Sequence, residues 1–358
     1  MKCKRIIIIA TLTACAISTA KSQTNPLTIS GYVEGYYVYD FGKPINNLRP
    51  SFTYSHNRND EVNLNLGLLK AAYATENVRA NLGLMVGTYA QYNLAAESDV
   101  FRNVYEANAG VKLNNSILWL DVGIFAAHIG WEGAIGKDNW TLTRSIAAEN
   151  SPYYEAGARI SYTSEKSKWF LSGLVLNGWQ RIQRIDSNRS AAFGTQITYK
   201  PSASVTLNSS TFIGNDKPDV RRQYRYFHNF YGIFQMNQQL GLILGFDAGA
   251  EQTSKGSDDY NTWYSLAAIL RYQPSSKVSL AGRAEYYRDE NGVIVSSGTP
   301  NGFKTRGYSV NVDYSPESNI MFRLEGKVYD SKDAIFTSER GTSTNNNSAV
   351  TTAIAVSF

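Results

Sequence analysis

Alternation of apolar and polar residues at period two, repeated along nearly the whole chain, most limits the folds open to this sequence. The arm from Tyr153 to Tyr162 shows the unit. Tyr154, Ala156, Ala158, Ile160 and Tyr162 fall on one side; Tyr153, Glu155, Gly157, Arg159 and Ser161 fall on the other. Successive side chains of a strand point to opposite faces, so one face is apolar and the other polar. A polar turn, Thr163 to Lys168, leads to a second arm from Trp169 towards Trp179. The pattern predicts 16 strands, near 27–39, 61–73, 78–88, 104–113, 116–125, 153–162, 169–178, 190–200, 204–214, 225–236, 239–248, 262–272, 278–287, 304–314, 319–329 and 348–358. Most are twice as long as a soluble strand of about five or six residues. Their length suits a tilted membrane-crossing strand of about 9–11.

The connections fall into two classes that take strict turns. The short ones are Ala74–Asn77, Asn114-Asn115, Thr163–Lys168, Pro201–Ala203, Asn237-Gln238, Gln273–Lys277 and Ser315–Ser318, rich in residues that suit tight turns. The long ones lie near 40–60, 89–103, 126–152, 179–189, 215–224, 249–261, 288–303 and 330–347. Such rotation is required of an up-and-down barrel with both termini on one side of a bilayer; a soluble sandwich has no reason to keep it. The predicted fold is a transmembrane antiparallel up-and-down β-barrel of about 16 strands, with short periplasmic turns and long external loops.

Alternation also predicts facing. Val62, Leu64, Leu66 and Leu68 share one face of their strand, and Val78, Ala80, Leu82, Leu84 and Val86 one face of the next. A lipid-facing Arg or Lys at the midplane costs about 2–4 kcal/mol, so strand charges are expected in the lumen. These are Glu34, Arg79, Glu106, Lys112, Glu155, Arg159, Arg283, Glu285, Arg323, Glu325 and Lys327. Opposite signs on neighbouring strands can brace the wall, or set the field felt by a permeating solute. Strands 169–178 and 225–236 alternate poorly, and their faces stay unassigned.

Mean hydropathy, −0.31, is compatible with this reading, because only every second strand residue meets lipid. Aromatics at 13%, with 24 Tyr, suit girdles at the membrane edges. Residues 1–22 read as a cleaved signal peptide: Lys2, Lys4 and Arg5, then apolar Ile6 to Ala14, then Ala20-Lys21-Ser22 ahead of Gln23. The apolar run is too short to span a bilayer, which takes about 20 residues. Leu12-Thr13-Ala14-Cys15 offers a lipobox alternative with Cys15 lipidated. Both cysteines, Cys3 and Cys15, lie in the leader, so the mature barrel (23–358) is expected to have no disulfide or thiol chemistry. Four of the 35 basic residues, Lys2, Lys4, Arg5 and Lys21, also lie there, leaving 31 against 30 acidic ones. That balance gives no reason to expect a nucleic-acid partner. The end, Ala349 to Phe358, alternates and stops on an aromatic, as a strand recognised by barrel-assembly machinery does.

The centre carries a specific likeness. Gly123-Ile124-Phe125-Ala126-Ala127-His128-Ile129-Gly130-Trp131-Glu132, Thr143-Arg144-Ser145, Glu149-Asn150-Ser151-Pro152-Tyr153-Tyr154-Glu155-Ala156-Gly157 and Leu176-Asn177-Gly178-Trp179-Gln180 resemble the putative β-barrel porin-2 (OmpL-like) family. Gly35-Tyr36-Tyr37-Val38-Tyr39-Asp40-Phe41 and Leu324-Glu325-Gly326-Lys327-Val328-Tyr329 fit it too. The family is found widely in Bacteroidetes, so the resemblance implies a porin of a Gram-negative outer membrane. It carries over no catalytic residues and no cofactor.

Function is therefore expected in the lumen, which sixteen strands leave water-filled. The connection 126–152 is the third long one, and in general porins a third loop folds inward. Its Glu132, Lys137, Asp138, Arg144 and Glu149 are the candidate constriction, with acids opposite bases. The alternative is an ordinary external loop. Enzyme readings are weak. His56, His128 and His228 have no partner at metal-ligand spacing, His128 with Ser145 is the only nucleophile–base pair to sketch, and Glu132 with Glu149 as a glycosidase pair fares no better, because sequence does not give their separation. Asp216, Asp219, Asp258 and Asp259 are a candidate weak Ca²⁺ site, but read as solvated loop acids. The expected partners are outer-membrane lipid, small hydrophilic solutes and, in a homo-oligomer, further copies of the chain. The rival reading is a non-conducting barrel whose loops adhere or dock.

Overall fold

The computed structural model describes residues 25–113, 117–339 and 341–358. The leader with Cys3 and Cys15, the cleavage point before Gln23 and the turn Asn114-Asn115 lie outside the described residues. In chain order the strands are β1 (Leu27–Asp40), β2 (Val62–Ala74), β3 (Val78–Val86), β4 (Val104–Lys112), β5 (Leu118–Ala126), β6 (Tyr154–Thr163), β7 (Trp169–Leu176), β8 (Ala192–Ser202) and β9 (Val205–Asn215). There follow β10 (Tyr224–Gln235), β11 (Leu240–Gln252), β12 (Tyr260–Tyr272), β13 (Val278–Asp289), β14 (Phe303–Tyr314) and β15 (Ile320–Ser331). A two-residue hairpin, β16 (Phe336–Thr337) with β17 (Ser343–Thr344), precedes β18 (Asn346–Ser357). Among the described residues, all strands except that hairpin close into one antiparallel barrel of sixteen, sequence neighbours pairing throughout. Among the described residues, no helix is long and apolar enough to cross a membrane.

Closure is made by β1 on β18, from Tyr32 opposite Ser357 to Asp40 opposite Ala349. The last residue locks the seam. Phe358 N donates to Gly31 O at 3.0 Å and Gly31 N to Phe358 O at 2.8 Å. The Phe358 ring lies where a side chain at position 31 would stand, 2.2 Å from the point a Cβ would occupy.

Facing follows alternation along most strands. Leu82, Val122, Phe193, Leu244, Leu266, Val310, Leu324 and Ile354 are exposed outward, the position lipid fills. Exposed Tyr73, Trp169, Tyr272 and Tyr314 lie near the short turns, and Tyr226 and Tyr260 near the long loops, as two girdles. On β2 the expected facing is wrong. Leu66 pairs with Glu34 but Leu64 pairs with the next residue, Gly35, so Asn65 is an extra residue and the phase flips. Leu66 and Leu68 therefore point inward and are buried, while Leu69 is exposed. The bulge is held by polar bonds: Asn65 Nδ2 donates to Glu34 Oε1 at 2.7 Å, and His56 N donates to Asn65 Oδ1 at 3.1 Å.

The two poorly alternating strands have apolar residues on both faces. Leu174 and Leu176 of β7, and Phe227 of β10, point inward and are buried. They belong to a cluster with Phe52 of the first long loop (41–61), Ile146 of the third (127–153), and Trp263, Tyr287, Phe303, Tyr329 and Phe336. The Phe52 ring stands edge-on to Phe303 at 4.8 Å and Tyr329 at 5.2 Å. An interior water-filled along its length is thus not what forms. In the half nearest the long loops, loop residues and inward aromatics pack as a core; nearer the short turns, Trp131 and Trp140 of the third loop pack on Ile243, Ile269 and Ala281 of β11–β13, while the wall of β3–β6 stays polar.

Candidate functional site

The third long loop runs across the inside of the barrel and bonds to the wall it faces. Thr143 N and Leu142 N donate to Glu325 Oε2 (2.5 Å) and Asn311 Oδ1 (3.0 Å) on β15 and β14. Ile146 N donates to Glu285 Oε2 at 2.6 Å. In return Arg283 donates to Thr143 O at 2.7 Å, Arg323 to Gly136 O at 2.6 Å and Asn139 O at 3.0 Å, and Lys327 to Arg144 O at 2.9 Å. Strand charges satisfy loop backbone that a dry interior would otherwise leave unpaired. Near the loop's start, His128 lies between Glu155 Oε2 and Thr211 O, each 2.8 Å from a ring nitrogen. Burial alone would lower its pKa, but the Glu155 carboxylate and the Thr211 carbonyl raise it above the ordinary value.

The five candidate loop residues part into two groups. Glu132, Arg144 and Glu149 are buried and hold loops together. Glu132 accepts from Ser145 N and Oγ. Arg144 donates to the carbonyls of Gly133, Leu142 and Ala134 at 2.8–2.9 Å, stitching the loop to itself. Glu149, on the one-turn helix α1 (Ile146–Glu149), accepts from Tyr54 N at 3.0 Å and Ser55 N at 3.2 Å, which docks the first loop on the third. Burial pushes the Glu149 carboxyl above its usual range, against the pull of Arg144 and these amides. Lys137 and Asp138 stand at the wet edge; Lys137 Nζ reaches Ser357 Oγ at 2.6 Å and Asp138 is exposed. His128 and Ser145 are not partners, since Ser145 Oγ is taken by Glu132 and His128 by Glu155. Among the described residues no cluster of three or more His, Cys, Asp or Glu is placed to hold a metal.

The inward strand charges part in the same way. Glu34, Glu155, Arg283, Glu285, Arg323, Glu325 and Lys327 are buried under the loops. Arg79, Lys112 and Arg159 lie on the β3–β6 wall towards the short turns, with Glu106 on the same wall nearer the long-loop end of β4. Sequence reasoning missed two members of that group, Lys70 and Asp121. Lys70 falls inward only because the bulge at Asn65 resets the phase of β2. Arg79, Gly110, Asp121 and Arg159 are successive register neighbours on β3, β4, β5 and β6. Arg79 Nε reaches over Gly110 to Asp121 Oδ1 at 2.6 Å, and Arg159 Nη2 meets Asp121 Oδ2 at 3.3 Å from the other side. A Cβ at position 110 would lie 2.3 Å from Asp121 Oδ1, so only glycine leaves the gap. One strand pair away, Lys70 Nζ crosses Gly83 to Glu106 Oε1 at 2.5 Å. An inward glycine between opposite charges two strands apart is the signal that would have found both bridges.

A closed antiparallel barrel of sixteen strands, lipid-facing outside, with a third loop folded into it, defines the porin class of outer-membrane protein. The chain belongs to the family described as putative beta-barrel porin-2, OmpL-like, whose profile matches residues 26–358. Solved structures share the fold at low identity. OmpT of Vibrio cholerae is 9% identical with a TM-score of 0.60, covering 93% of this chain and 97% of that one. An anion-selective porin from Comamonas acidovorans is 7% identical at 0.61, covering 93% and 99%. The outer membrane channel DcaP of Acinetobacter baumannii is 12% identical at 0.58, covering 93% and 97%. Such identities show the fold alone. No curated protein matches the sequence.

Proposed function

We propose that the chain is a diffusion porin, passing small hydrophilic solutes or ions across the outer membrane without chemistry or cofactor. The observation that carries this reading is the polar inner wall of β2–β6, part-exposed to water inside a closed barrel: side-chain exposure is 32% for Lys70, 32% for Arg79 and 24% for Arg159. The third loop is the constriction. Its bonds to β13, β14 and β15 confine the open path to the opposite, β2–β6 side, with Lys137 and Asp138 at its edge. Glu132, Arg144 and Glu149 keep it folded. A leader cleaved ahead of Gln23 would deliver the chain, assembly machinery would read the strand ending at Phe358, and further copies would pack through the lipid face.

One observation favours a second reading. The aromatic packing around Phe52 and Phe303 fills the half nearest the long loops, as a non-conducting barrel with adhesive or docking loops would need. Planar-bilayer recording separates the two. Discrete channels, with larger single-channel conductance after deletion of 134–142, support the porin with its constriction. Unchanged conductance after that deletion rejects the constriction, and silence from both proteins rejects the pore.

A further inference from the structure

Counted in sequence, the inward charges are mixed in sign; counted where water reaches them, they are not. The inward acids are mostly consumed. Glu34 is bonded to His56, Asn65 and Tyr32; Glu155 to His128; Glu285 and Glu325 to loop amides and to Lys327 or Arg283; Asp313 to Arg323. All five are buried. The cations of the β2–β6 wall keep contact with water although three of them are ion-paired, Lys70 with Glu106 and both Arg79 and Arg159 with Asp121. Lys70, Arg79, Lys112 and Arg159 are each part-exposed, whereas the two acids among them, Glu106 and Asp121, are 9% and 1% exposed. Four cations there face two shielded acids.

Across the lumen, Arg271 is part-exposed with its guanidinium 4.1 Å over the Trp140 ring, and Lys137 and Asp138 cancel. The exposed guanidiniums are held in place. Arg79 lies 4.3 Å over Trp119 and Arg159 4.8 Å over Phe125, which fixes their planes while leaving donors towards water. Both bond one carboxylate, so they sit well within the Debye length of about 8 Å and their fields add.

Resting on the porin reading, we propose that this channel prefers anions, and that Lys70, Arg79, Lys112 and Arg159 form the station that selects them. Small solutes bearing a carboxylate or phosphate are the class it suits, since a guanidinium offers such groups two parallel donors. A wall potential of about one kT would raise the local anion-to-cation ratio roughly sevenfold. The acids are kept out of the path by the inward glycines: Gly83 and Gly110 let each carboxylate be bridged by a cation two strands away, so the wet surface of each bridge is cationic.

The test is the reversal potential of purified full-length protein in planar bilayers under a KCl gradient. The inference expects a chloride-to-potassium permeability ratio of several-fold. It expects a ratio nearer one for K112Q and for the R79Q/R159Q/D121N triple variant, which removes the buried acid with its partners. D121N alone should raise the ratio, and R79K/R159K should keep it above one. Heat-modifiable migration in gels confirms that each variant is a folded barrel. Cation preference in the native channel overturns the inference and leaves the porin standing, as does a ratio unmoved in both neutralised variants. Absence of any channel defeats the porin reading and this inference with it.

Discussion

Replacing Arg283 by Met tests what holds the third loop inside. The side chain is fully buried, and its guanidinium donates to Thr141 Oγ1 at 2.8 Å, Thr143 O at 2.7 Å, Thr143 Oγ1 at 3.0 Å and Glu325 Oε1 at 2.9 Å. Glu132 and Glu285 stand 3.5 and 3.6 Å away. Methionine fills a similar space but leaves Glu325 with less counter-charge, Lys327 being bonded to Glu285 at 3.0 Å. Removing one partner from a buried pair costs about 3–5 kcal/mol, which shifts loop docking by roughly two to four orders of magnitude. The barrel itself should survive, because its ladder hydrogen bonds are untouched. The assay is trypsin added from the loop side to R283M in proteoliposomes, watching for cleavage after Arg144, which is buried in the native chain. R283M should be cut quickly while still migrating as a folded barrel, and R283M/E325Q should regain part of the resistance, since losing both charges is far less costly than losing one. A folded R283M as resistant as the native protein would refute the anchoring argument.

Two further expectations follow from the same geometry. Leu69→Arg places a cation on the lipid side of β2, at a cost of about 2–4 kcal/mol if near the midplane, so assembly yield should drop sharply; normal assembly would mean that the Asn65 bulge does not form. His128, with its pKa raised, should donate as imidazolium to Glu155 and Thr211. That stabilisation is full below the unfolded value near 6.5 and fades as pH rises through the higher folded value. Trypsin sensitivity of the third loop should therefore grow as pH rises above about 6.5, and a histidine NMR titration placing His128 below its ordinary value would contradict this.

How much was legible depends on whether a feature is local. Strand length, alternation and the rotation of short and long connections are written residue by residue, because lipid outside and water or polar packing inside impose a two-fold period on each strand independently. Arg79, Glu106, Arg159 and Arg323 could be assigned to the inner side for the same reason: a charge in hydrocarbon is too costly to place otherwise. The bulge at Asn65 was not legible, since its signal is a pair of bonds, one to Glu34 on the neighbouring strand and one to His56 in the preceding loop, that form only when both are folded against it. One inserted residue then turned Leu66 and Leu68 inward and brought Lys70 to the wall.

The sequence by itself determined the barrel and the sign of each charge. Only the tertiary structure decided which charges meet water, because burial depends on where the loops come to rest. The third loop covers Glu285, Glu325 and Arg283 and leaves Arg79 and Arg159 bare, and no property of those five residues in isolation distinguishes the two sets. What separates them is a fold-wide competition: buried backbone of the incoming loop must find donors and acceptors, and it takes them from the wall it lands on.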